Sequence, residues 1–329
     1  MPMSSYEVVY RAVHFATPDR LPVSMGSLGV DDLMGWVAPA FPSERGRTGL
    51  GADEWGCVWS KTEMANMGQV TGHPLADWAR FDDYPFPDAD DPAAYAHVED
   101  VLAGVGDTYV ITGHFMLLFE RMHALRGFQN TLEDLYLEPK LSAALADRLV
   151  DNAVRRIQRM GEIAHGRVHG FSFSDDWGTQ QACFISRERW QEFFKPRYRA
   201  IFDACHAQGW DVWMHSCGYV NEIIEDLIEI GCNVMNLQQP RALGIEAIGR
   251  RYAGRIAFSS LCDIQSTLPF KSDADIREEA RLLLAHWATD QGGFILSDYG
   301  DGEAIGVPLE KKRVMFDAFM AYDRWKKVS

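Results

Sequence analysis

The sequence predicts an α/β fold, a (β/α)8 TIM barrel with an N-terminal helical cap region, and three observations carry that prediction. From about Thr108 onward, short β-rich runs alternate with longer amphipathic helical patterns, the signature of βαβ units and a parallel sheet. Polar, ligand-capable residues follow nearly every run, and in a parallel barrel all strand C-termini open on one face, where active sites sit. A length of 329 residues is long for one ordinary domain but normal for a barrel with insertions. An open doubly wound sheet would also gather strand ends at one edge. The chain, however, carries no Gly-rich dinucleotide fingerprint and no GxxxxGK phosphate loop.

In chain order, MPMSSYEVVYRAVHF reads as an amphipathic helix and lacks the basic-then-apolar order of a signal peptide. Leu21–Met25 reads as an early strand. The Pro- and Asp-rich stretch Phe81–Tyr95 reads as a surface loop between the cap region and the more regular remainder. It does not divide the chain, so residues 1–329 are expected to form a single domain. The run Tyr109–Thr112 is followed by His114, His169–Phe173 by Asp175 and Asp176, and Asp211–Met214 by His215 and Cys217. Asn233–Leu237 leads to Gln238 and Gln239, Arg255–Ser259 to Cys262 and Asp263, and Gly293–Leu296 to Asp298. Helical patterns cover Lys140–Ala164, Arg187–Gln208, Val220–Ile230 and Asp273–Thr289.

Composition narrows the function classes. The net charge of −15 repels phosphate backbones, so nucleic acid is not an expected partner. No apolar run reaches the roughly 20 residues that span a bilayer, so no membrane association is expected either. The six cysteines are too sparse for a disulfide scaffold and are expected to be reduced thiols in the cytoplasm.

The sharpest motif is Val212–Gly218, VWMHSCG. Residues two apart on a strand share a side, so His215 and Cys217 could face one ion, and zinc favours mixed N and S ligands. The alternative is a packed cysteine beside a helix-capping histidine. Cys262, Asp263 and Asp298 are the candidates for a third ligand, because each is expected at the same barrel mouth. In SDDWGTQ (Ser174–Gln180), two adjacent carboxylates are costly to desolvate together. One is expected to cap the next segment and the other to act in the pocket. Asp176 is the better acid/base candidate, and Asp175 is kept as a substrate contact.

Gln238 and Gln239 could orient a substrate carbonyl or carboxylate, or simply shape the turn before Pro240. His114 is a candidate secondary acid/base, against the commoner reading of a satisfied core histidine. Arg121 and Arg126 are expected to pair with nearby acids. Trp177 is a candidate stacking wall for substrate, while the other tryptophans read as core.

Several ordered segments together resemble the uroporphyrinogen-decarboxylase-like superfamily. They are TPDRLPV (Thr17–Val23), DEWGCVW (Asp53–Trp59), LFERMHALRG (Leu118–Gly127), SDDWGTQ, the stretch Ile185–Gly218, CDIQSTLPF (Cys262–Phe270) and Gly292–Glu310. The resemblance implies a barrel enzyme, either a decarboxylase or a methyltransferase working with a corrinoid. Decarboxylases of the family carry an arginine-containing segment after the first strand, whereas Val23–Leu33 here contains none. The corrinoid methyltransferases pair His-x-Cys with a further cysteine near the C-terminus to hold zinc. His215 and Cys217 match that pair, but SDYGDGE (Ser297–Glu303) has no cysteine, leaving Asp298 or Cys262 to substitute, or the metal to be absent.

The resemblance therefore implies zinc-assisted methyl transfer between a small, methoxylated substrate and a corrinoid (cobalamin), as in O-demethylases. The partners would be a small methyl donor or acceptor and a corrinoid-binding protein. A lyase decarboxylating a small acid, and a non-catalytic binding paralogue, are the alternatives.

Overall fold

The computed structural model describes residues 2–35, 37–61 and 68–325; Met1, at the head of the expected N-terminal helix, lies outside them. Nine strands form a nearly closed sheet: β1 (Val23–Met25), β2 (Val30–Asp31) and β3 (Leu33–Met34), then β7 (Tyr109–His114), β8 (Gly170–Ser174), β9 (Asp211–His215), β10 (Val234–Leu237), β11 (Ala257–Ser260) and β12 (Phe294–Ser297). Between β3 and β7, the strands β4 (Gly51–Ala52), β5 (Val58–Ser60) and β6 (Gln69–Gly72) make a separate antiparallel sheet. From β7 through β12 every neighbouring pair is parallel, and β12 pairs in parallel with β1. Closure runs through Asp32, whose backbone N–H donates to Val23 O and whose carbonyl accepts from Tyr109 N.

The expected barrel is the fold. All six expected runs from Tyr109 onward are strands, shifted by one to two residues at their ends. The helical pattern Arg187–Gln208 is two helices, Arg187–Phe193 and Lys195–Ala207. Pro196 near the break has no N–H to continue the ladder. The stretch Phe81–Tyr95, read as loop, ends in a short helix, Pro92–Tyr95.

Two apolar layers hold the barrel. The larger lies between the strands and the surrounding helices. The smaller fills the barrel's N-terminal end with Tyr109, Ile111, Trp213, Val234, Ala257 and Ile295, against Val9 and Val13 of the helix Ser5–Val13. That helix starts with a capping box between Ser4 and Glu7. Its apolar face plugs the barrel floor, so the barrel interior opens toward the opposite, C-terminal mouth. No helix among the described residues is long and apolar enough to cross a membrane.

Candidate active site and metal centre

Strand alternation turns the barrel interior from apolar to polar within two residues. On β9, Trp213 belongs to the floor, while His215, and Cys217 just beyond the strand end, line the cavity above it. Ser172 and Ser174 on β8, Asn236 on β10, Ser259 on β11 and Ser297 on β12 do the same. The cavity measures about 1180 Å3 and is roofed in part by Gln69 and Val70 of the small sheet.

At its centre, one ligand atom each from Asp176, His215 and Cys217 lie within 4.8 Å of one another. Cys217 Sγ is 3.4 Å from His215 Nε2, which is 3.5 Å from Asp176 Oδ1. The imidazole is oriented from behind. Asn236 Nδ2 donates to Ser259 O and Oγ, so its Oδ1 faces His215 Nδ1, at 2.7 Å, as an acceptor. Nδ1 therefore carries the proton, and the Nε2 lone pair points at Cys217 and Asp176. Burial, with the charges of Asp176 and Glu120, pushes the Cys217 thiol well above its usual value. Asp176, Cys217 and the pre-oriented imidazole nitrogen thus offer one O, one S and one N donor at a single place, a set that suits zinc.

Two loops lie edge to edge to build this cluster. Asp175 N donates to His215 O, Trp177 N to Ser216 Oγ, Cys217 N to Asp176 Oδ1 at 2.7 Å, and Tyr219 N to Thr179 O. The approach is so close that a Cβ on Gly218, which sits at φ 78°, would come within 2.2 Å of Gly178 O.

Of the adjacent carboxylates, Asp176 reaches the cavity and Asp175 does not. Asp175 is fully buried and accepts from Leu118 N, Glu120 N and Tyr198 Oη, so it caps the helix Phe119–Arg126. Burial raises its carboxyl against the pull of those three donors. Trp177 is also withdrawn: it stacks on Phe119 at 4.1 Å and donates to Tyr198 Oη, leaving no face for substrate.

Gln238 lines the cavity. Gln239 is buried, accepts from Gln180 Nε2 and lies within hydrogen-bonding reach of the Cys217 thiol. His114 alternates to the outer side of β7, where Arg156 Nη1 donates to its Nε2. Burial and the guanidiniums of Arg156 and Arg121 hold it well below the usual histidine range, away from the cluster. Of the third-ligand candidates, Cys262 is buried with its thiol toward Ile276 O, and Asp263 organises a turn through Gln265 N, Ser266 N and Arg241 N. Asp298 lines the cavity but is held 2.8 Å from Lys312 Nζ. The oxygen beside His215 and Cys217 is that of Asp176.

Glu120 is a cavity residue to which the sequence assigned no role. It is buried, and Ser174 Oγ donates to its Oε2 at 2.6 Å. Burial first, then the charges of Asp176 and Asp175, push its carboxyl up to about 8. No local signal marks it in the sequence, because the aspartate that caps its helix, Asp175, lies 55 positions away.

The uroporphyrinogen decarboxylase (URO-D) family profile matches residues 65–322. The chain belongs to the uroporphyrinogen decarboxylase family. Comparison with curated protein sequences returns no match. Among solved structures, a methyltransferase from Methanosarcina mazei superposes with a TM-score of 0.66 at 15% identity, over 97% of this chain and 99% of that one. At that identity the likeness shows the shared fold of the family member and its neighbour. A D-psicose 3-epimerase (TM-score 0.39, 12% identity, 68% of this chain and 81% of that one) and the IOLI protein with a bound zinc atom (0.41, 10%, 68% and 82%) match less well and carry no argument.

Proposed function

We propose that this family member is a methyltransferase moving a methyl group between a small methoxylated substrate and a corrinoid, with zinc held by Asp176, His215 and Cys217. The observation that carries the reading is the convergence of those three ligand atoms, with His215 Nε2 turned toward the other two by Asn236. When bound, zinc supplies Lewis-acid activation of a substrate heteroatom. The corrinoid, free or on a partner protein, is the methyl-accepting co-substrate. The Methanosarcina mazei neighbour, superposed over 99% of its length, is a methyltransferase, which supports the class.

The chain's own residues then have distinct tasks. Asn236 keeps the His215 proton on Nδ1. Glu120, with Oε2 accepting from Ser174 Oγ, lines the same cavity as Asp176 and is the carboxyl placed to deliver a proton there. When the C–O bond of a methoxyl group breaks, the oxygen keeps the electron pair and takes that proton. Gln238 and the ring of serines offer neutral hydrogen bonds for orienting the substrate. No arginine or lysine is among the described residues lining the cavity, so a tetrapyrrole bearing many carboxylates finds no cationic partner there. That disfavours uroporphyrinogen as substrate and weakens the decarboxylase alternative.

The test is elemental analysis of purified wild type beside His215→Ala, Cys217→Ala and Asp176→Asn, followed by cobalamin absorbance with methoxylated aromatic donors. Near-stoichiometric zinc, lost in folded variants, together with donor-dependent methylation of cob(I)alamin, is the expected result. Wild type that takes up no zinc, or turnover indifferent to all three substitutions, would overturn the reading.

A further inference from the structure

Beside the main cavity lies a second one of about 190 Å3, on the outer side of β7. The rings of Trp59 and Phe115 line both and stand between them. Its polar wall consists of Arg45, Asp53, Glu54, His114, Arg121 and Arg156. Arg121 and Arg156 are 2% and 7% exposed, so their guanidiniums must find partners inside the protein.

The acceptors in that wall are largely used. Asp53 Oδ1 accepts from Trp55 N and Cys57 N, and Oδ2 from Trp59 Nε1 and Arg121 Nη1. Glu54 Oε1 accepts from Trp55 Nε1 and stands 3.9 Å from Arg156 Nη1. What remains on the arginines and the histidine is donors only. Arg156 Nε and Nη2, Arg121 Nε and His114 Nδ1 are buried without a hydrogen-bond partner. Because His114 Nε2 accepts from Arg156, its Nδ1 is an N–H. Three guanidiniums against two carboxylates leave one positive charge. The rest of the lining, with Ala153, Ile157 and Phe171, is apolar.

We propose that this cavity is a binding site for a small organic monocarboxylate, its two oxygens accepting from Arg156 and His114 and its short hydrocarbon tail lying on the apolar wall. A guanidinium fork matches a carboxylate in shape, and one surplus positive charge matches a monoanion. The site is independent of the metal cluster and lies outside the methyl-transfer reading.

The test titrates the full-length protein with 13C-labelled propionate at constant ionic strength and follows the ligand by NMR. Four proteins are compared: wild type, Arg156→Met, Ala153→Leu (which fills the cavity from the helix Pro139–Ala164) and the double variant His215→Ala/Cys217→Ala. Saturable binding is expected in wild type and in the double variant, weakened at least tenfold by Arg156→Met or Ala153→Leu. Because a buried-charge variant can fail to fold, crystals of wild type with 3-bromopropionate provide a second readout, the anomalous bromine signal in this cavity. Binding lost with the double variant and kept in Arg156→Met, no saturable binding at all, or a cavity holding only water in those crystals would each overturn the proposal. Failure of zinc binding at His215 and Cys217 would leave these outcomes unchanged.

Discussion

At the scale of the residue, His215 is oriented by its register partner on the adjacent strand, Asn236. Asn236 accepts from its Nδ1, and the amide is itself fixed by Ser259. Such outer partners commonly govern metal affinity by about 10–100-fold. Asn236→Leu is therefore expected to weaken zinc binding by about that factor with little change in folding, as read by competition with a chromophoric chelator. Glu120 gives a second prediction, for the metal-free protein. Its carboxyl is raised from 4.5 to about 8, so the folded state holds this proton more tightly than the unfolded chain does. The stabilisation is full below about pH 4.5 and is lost as pH rises through about 8. Urea denaturation of Glu120→Gln at pH 6 and pH 9 is expected to show a smaller loss of stability across that interval than wild type, by an amount of order a few kcal/mol.

At the scale of the element, two loops and one helix start are a single unit. Asp175 ties the helix Phe119–Arg126 to Tyr198 and to the end of β9. Asp175→Ala would orphan two backbone N–H groups and a tyrosine hydroxyl at a fully buried position. The expected destabilisation is about 3 kcal/mol or more by urea denaturation, since each orphaned buried group costs about 1–3 kcal/mol. Because Glu120 begins that helix, its carboxyl should shift with it. Gly218→Ala would collide with Gly178 O in a left-handed backbone conformation. A loss of about 2 kcal/mol or more is expected, with zinc content falling as the Cys217 loop is pushed from the Asp176 loop. Retained zinc in folded Gly218→Ala would show that the two loops are less coupled than their hydrogen bonds imply.

At the scale of the whole molecule, the barrel divides its interior into a sealed floor and an acidic, polar mouth. The helix Ser5–Val13 closes one end, and Glu120, Asp176, Asp298 and Asp301 face the cavity at the other with no described lysine or arginine lining it. Lys312 is nearby, but it is committed to Asp298 and to Tyr299 O. The protein is accordingly expected to consume no uroporphyrinogen in an anaerobic assay followed by porphyrin chromatography. Product formation would show that carboxylates are recognised by groups outside this lining.

The barrel was legible in the sequence because its cause is local: strand and helix periodicities repeat from Thr108 onward and need no long-range contact to be seen. His215 and Cys217 were legible for the same reason, as residues two apart at the end of one strand, although the strand itself stops at His215. The strand end Gly293–Leu296 likewise pointed to Asp298 in the cavity lining. What alternation could not reveal was direction after the strand ends, where loops bend and period two lapses. Asp175 and Trp177 flank Asp176 in the chain yet turn into the core, because Tyr198 and Phe119 arrive there from distant helices. His114 follows its strand outward to Arg156, a partner 42 positions away. Cys262 turns behind the barrel to Ile276. Periodicity, composition and motif order determined the architecture and pointed to two of the three clustered residues, His215 and Cys217. Only tertiary packing decided that Asp176 stands beside them and that burial raises the Glu120 carboxyl, because proximity and burial depend on which distant groups share the same few ångströms.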